Sequence, residues 1–255
     1  MAEGSRELID QVARSTAVVV DALATTDLTA PSLLPDWSRL TIACHLRYGA
    51  EALRWMTLDT LAGEPTSYYP EGRATQRPLT LEPRDGETPA DVVSSLRAAS
   101  DALLMVWRDD VADWSTPVTE PGDNPDLGPV ELRRLLLARL TEVEVHGTDL
   151  GIAGLDTWSD VMVRHVLPMR LEWLNTRRSN HRAVDTSVRT SWLLRATDLP
   201  VSHVVTVDGD RVISVPGDTA DVVVEATGAE LLALLLGRAP ADLAPPEFNR
   251  ALPGP

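Results

Sequence analysis

Glu142 and His146 stand four residues apart in ELRRLLLARLTEVEVHGTDL (131–150), and His45 lies in PDWSRLTIACHLRYGAEALRWM (35–56). Both segments carry apolar residues at helical spacing. On a helix, residues i and i+4 project from one face, so the first segment offers two metal ligands and a packed neighbour would offer the third. A glutamate and two histidines that leave a fourth position open make a catalytic zinc type of site. An isolated Glu-x3-His pair is common on solvated helix faces. Here the surrounding helix is apolar, so the carboxylate and the imidazole would face a bundle interior, where unpaired polar groups are costly and ligation would satisfy both.

The neighbouring residues sort by their angular position. Glu144, two residues from His146, falls on another face and is expected outside the ligand set, exposed or paired with an arginine. Asp149 follows His146 by three and either accepts the remaining ring N–H, as carboxylates commonly do beside metal-bound histidines, or ends the helix in solvent. Cys44 diverges from His45 by about 100° and reads as a small buried apolar residue. Trp37, just before the His45 helix, is placed to line a cleft at its mouth. His165, His181 and His203 have no partner at ligand spacing and read as ordinary surface or core histidines. The chain has no GxSxG elbow, Walker loop, GxGxxG or HExxH, which sets aside serine hydrolase, nucleotide and zincin readings.

The elements that must hold these groups follow from periodicity. Helices are expected over 6–24, from a cap at Asp36 or Ser38 to about 61, over 89–110 with Thr88 as cap and Pro89 at the first position, and over 131–150. Long loops rich in Pro and Gly, 63–89 and 116–128, separate them, and loops of that length are often functional. A further helix over 158–177 precedes a change of texture. TSVRTSWLLRATD, SHVVTVDGD, RVISVPG and ADVVVEATG read as three or four strands broken by DG and PG turns, and GAELLALLLGRAP as an apolar helix stopped by Gly237 and Pro240. The expected fold is α+β: a four-helix bundle within 1–178 and a small α/β domain over 179–255.

Composition bounds the function. A net charge of -15 over 255 residues argues against nucleic acid or an anionic membrane as partner. All 23 basic residues are arginine, which excludes Schiff-base chemistry through lysine. The single cysteine excludes an intrachain disulfide, and with no signal-like or membrane-spanning segment the expectation is a cytoplasmic protein, monomeric because two domains can bury their own cores.

PDWSRLTIACHL, RLTEVEVHGTDLG and VVVEATGAELLALLLGR together resemble the mycothiol-dependent maleylpyruvate isomerase family, and the resemblance runs from the first helix to Arg238. It implies a DinB-like metal-binding bundle and a small C-terminal, sterol-carrier-like α/β domain. It also implies a divalent metal, usually zinc, on His45, Glu142 and His146, with mycothiol as thiol cosubstrate. Asp149 and Trp37 are then the residues assigned to the cofactor's surroundings, and Arg238 the catalytic cation of the small domain; as a plain helix-end arginine, Arg238 would instead satisfy last-turn carbonyls. The chain departs from many members at Gly49, where they carry asparagine. The implied activity is cis–trans isomerisation of an unsaturated diacid or thiol transfer to a small electrophile. Two other readings stand beside it: a metal-dependent hydrolase with Asp149 or Glu144 as base, and a non-catalytic ligand-binding or regulatory module.

Overall fold

The computed structural model describes residues 3–109, 111–119, 130–176, 190–208 and 211–251. The loop stretch 120–129, His181 and the glycine of the Asp208–Gly209 turn, all read from the sequence above, lie outside the described residues. The chain divides into two compact units, Met1–Ser159 and Asp160–Pro255.

In the first unit, α1 (Glu3–Leu23), α2 (Arg39–Ala62), α4 (Pro89–Asp109) and α5 (Arg133–Asp149) are the four long helices, and α3 (Arg73–Gln76) is a short one. Helix α2 packs on α4 and α5, and α1 on α4 and α5. Their apolar stripes meet in a core that includes Val20, Leu23, Ile42, Leu46, Leu96 and Val143. Local chemistry sets the ends. Ser38 caps α2 by accepting from the Thr41 N–H, and Gly63 closes the helix in the left-handed conformation, φ 76°. Thr88 and Asp91 bond reciprocally at the start of α4.

The expectation of a loop over 63–89 needs correction. It contains α3 and a 3-10 turn, Arg77–Leu81, and it is fastened to α2. Tyr48 Oη donates to the Tyr68 carbonyl at 2.7 Å, Trp55 Nε1 to the Ser67 carbonyl at 2.9 Å, and Arg47 pairs with Glu87 at 2.6 Å. No periodicity announces these contacts, because single side chains make them. Strands β1 (Pro117–Val118) and β2 (Val130–Glu131) form a two-residue antiparallel pair that the sequence reading also missed.

In the second unit, β3 (Trp192–Ala196), β4 (Ser202–Asp208), β5 (Arg211–Pro216) and β6 (Val222–Ala226) form one sheet in the order β5-β4-β3-β6, antiparallel except for the β3–β6 pair. Trp192, Leu194, Val205, Val212 and Val224 are buried, as alternation on a covered face requires. Helix α6 (Asp160–Thr176) packs on β5 and on α7 (Gly228–Leu235), which the Thr227–Glu230 capping box starts. A short helix, α8 (Pro246–Ala251), brings Phe248 edge-on to Trp192. The fold is α+β, as the sequence implies. Among the described residues no helix is long and apolar enough to cross a membrane.

Candidate active site

Helices α2 and α5 bring His45, Glu142 and His146 together. His45 Nε2 lies 3.3 Å from Glu142 Oε1, and the two imidazole rings meet edge to face with centroids 4.9 Å apart. Trp37, on the turn that enters α2, meets His45 edge-on at 5.5 Å and stacks on His146 at 6.2 Å. Asp149 Oδ2 is 2.9 Å from His146 Nδ1 and almost wholly buried, so of its two readings the contact with the ring is the one present. The Asp149 carbonyl accepts from Leu33 N–H at 2.7 Å, and Arg39 Nε donates to the Leu150 carbonyl at 3.1 Å. These bonds fix the end of α5 to the segment that carries Trp37.

Glu142 has partners that the sequence reading did not name. Arg139, one turn earlier, donates through Nη1 to Glu142 Oε2 at 2.7 Å and to the Leu46 carbonyl at 2.8 Å, and through Nη2 to Ser100 Oγ at 3.1 Å. The i, i+3 spacing of Arg139 and Glu142 was visible in the sequence; the burial of that arginine was not. Tyr68 Oη donates to Glu142 Oε1 at 3.4 Å. Gly49 supplies the room: a Cβ there would lie 2.5 Å from each carboxylate oxygen of Glu142. Gly49 thus lets α2 close directly on the carboxylate.

Burial sets the protonation of the cluster. Desolvation lowers His45 to about 4 against the opposing pull of Glu142, so the ring is neutral at neutral pH and offers lone-pair chemistry. Its buried Nδ1 has no hydrogen-bond partner among the described residues. Burial, with the nearby Glu142 carboxylate, holds the Tyr68 phenol well above its ordinary range and keeps it a donor. Cys44 is buried and its thiol is pushed up to about 11, which fits an inert core residue.

Glu144 is where the sequence reading fails. It is neither exposed nor paired with an arginine: it is buried and accepts from Ser15 Oγ at 2.7 Å, Gln11 Nε2 at 3.4 Å, and Ser159 N–H and Oγ at 2.8 and 2.7 Å. Neutral donors from distant positions satisfy it, and no local spacing reveals them. Arg238 lies in the second unit, just after α7, and its Nη1 donates to the Leu236 carbonyl at 2.9 Å. His203 meets Ser214 in that unit. Among the described residues no three His, Cys, Asp or Glu side chains are arranged so as to hold a metal ion. The donors of His45, Glu142 and His146 are of the right kind and gather at one place, but the contact shown is a direct one between carboxylate and imidazole.

The profile of the mycothiol maleylpyruvate isomerase N-terminal domain matches residues 9–151, more than half of the chain and all four bundle helices but the first residues of α1. The chain belongs to the mycothiol maleylpyruvate isomerase family. Two solved structures share its fold, a mycothiol-dependent maleylpyruvate isomerase and a histidine-to-alanine mutant of that enzyme. Each is 21% identical with TM-score 0.67, over 94% of this chain and 93% of the other. No curated protein matches the chain at the sequence level. The family assignment joins the bundle, and with it the His45, Glu142 and His146 cluster, to the residues that carry the resemblance in the sequence.

Proposed function

We propose that this chain is a metal-dependent enzyme using mycothiol or a closely related thiol, acting as a cis–trans isomerase of a maleylpyruvate-type diacid or as a thiol transferase. Family membership makes it an enzyme of the isomerase or transferase kind. The observation that carries the metal reading is the convergence of His45, Glu142 and His146 from two helices, with Asp149 on the far nitrogen of His146.

His45, Glu142 and His146 would hold a divalent ion, zinc by preference. Metal and thiol together would supply a thiolate, whose reversible addition to a cis double bond permits rotation and elimination to the trans product.

The chain's own residues prepare that chemistry. Asp149 fixes the ring of His146 and leaves Nε2 as its free donor atom. Arg139 and Tyr68 hold the Glu142 carboxylate in one orientation, and Trp37 walls the two imidazoles. The hydrolase reading loses its general base, because Glu144 is fully engaged elsewhere and Asp149 is held by His146.

Zinc content and thiol-dependent isomerisation of maleylpyruvate, measured on the native protein and on Glu142→Ala, test the proposal. Near-stoichiometric metal and thiol-dependent turnover, both lost in the variant, are expected. Full turnover in Glu142→Ala, or no metal uptake by the native protein after reconstitution, would overturn it.

A further inference from the structure

Arg77 stands beside the cluster and pairs with no acid among the described residues. Its guanidinium lies 5.7 Å from the Trp37 ring centroid, and Trp37 is in contact with both His45 and His146. The side chain is half-buried. Arg73, four residues earlier, lies over the Tyr69 ring at 5.5 Å. Neither arginine makes an ion pair among the described residues. The carboxylate of the cluster, Glu142, is already engaged by Arg139.

That arrangement is unexpected on charge alone. The chain has 38 acidic side chains against 23 arginines. Its net field repels anions, so an anionic substrate needs local positive charge near the point of reaction. A half-buried guanidinium spread over an aromatic face is held in place while its N–H fork stays available to a carboxylate. Trp37 holds Arg77 without neutralising it.

We propose that Arg77, assisted by Arg73, is the subsite for a carboxylate of the electrophilic substrate, so that the site selects anionic over neutral unsaturated compounds. The proposal rests on reading the His45, Glu142 and His146 cluster as the reactive centre. It adds to that reading a specificity residue from the loop between α2 and α4, in the first unit itself.

The test is calorimetric titration, without thiol, of maleate and of its uncharged counterpart maleamide into the native protein, Arg77→Met, Arg77→Lys and Tyr69→Phe, with zinc content and melting temperature measured on each. The native protein is expected to bind maleate and not maleamide. Arg77→Met should weaken maleate about tenfold or more and Arg77→Lys by less, because the ammonium keeps charge but loses the fork. Zinc content and melting temperature should not move, since Arg77 makes no ion pair among the described residues. Tyr69→Phe should retain most of the affinity, which separates loss of the cation from a shifted Tyr69. Equal binding of maleate and maleamide, no binding of maleate by the native protein, or undiminished maleate binding in Arg77→Met would each overturn the subsite. Arg77-dependent binding in a protein that takes up no metal and turns nothing over would uphold the subsite and overturn the function proposed above.

Discussion

Arg139 and Glu142 form a 2.7 Å ion pair one helical turn apart on α5, with the arginine side chain 1% exposed and the glutamate 15%. The pair lies between the Leu46 carbonyl of α2 and Ser100 of α4, so one guanidinium ties three helices to the carboxylate of the candidate site. Removing one partner of a buried pair leaves the other charge without compensation. Arg139→Met is therefore expected to destabilise the protein by about 3 kcal/mol or more, and Arg139→Met with Glu142→Gln by less than Arg139→Met alone. Urea denaturation of both variants measures this, and equal losses in the two would show that the ion pair is not the source.

Gly49→Ala tests the closeness of α2 to that carboxylate. The added methyl would sit 2.5 Å from both oxygens of Glu142, so the glutamate must rotate away or the helices separate. We expect loss of metal uptake with helical content retained and a stability loss of about 1–3 kcal/mol, the range for overpacking. Circular dichroism and zinc analysis read the two effects separately. Unchanged zinc affinity would mean that Glu142 does not need its present position.

Cys44 gives a pH prediction whose sign can be worked out. Its thiol is raised from 9.0 to about 11 by burial, so between those values the unfolded chain has lost a proton that the folded protein keeps. Stability should fall as pH rises from about 9 to about 11, and Cys44→Ala should flatten that part of the curve. At pH 8 the native thiol should resist iodoacetamide and react once the protein is unfolded. Rapid labelling of folded protein would contradict the burial.

Thr88→Ala removes the hydroxyl that accepts from the Asp91 N–H and donates to the Asp91 carboxylate at 2.6 Å. A loss of about 1 kcal/mol is expected, as for other N-caps. Thermal melting of Thr88→Ala beside Thr88→Ser checks it, since serine should retain most of the cap.

Periodicity and caps belong to the chain itself. The apolar spacing of α1, α2, α4 and α5, the caps at Ser38 and Thr88, and the Val- and Thr-rich runs broken by turns that become β3 to β6 are local, and a reader of residues alone finds them. The same holds for His45, Glu142 and His146 as a candidate set, because a helix converts a spacing of four into a shared face. The tertiary structure decided what surrounds that set. Arg139 becomes a buried partner only where α2 and α4 meet α5, Glu144 is satisfied by donors from two distant segments, and Arg77 reaches Trp37 only because Tyr48, Trp55 and Arg47 fasten the intervening loop to α2. The physical reason is range: a helix or strand repeats its geometry every few residues and writes it into the spacing, whereas contacts between elements depend on which faces pack together, and that is settled only when the whole core closes.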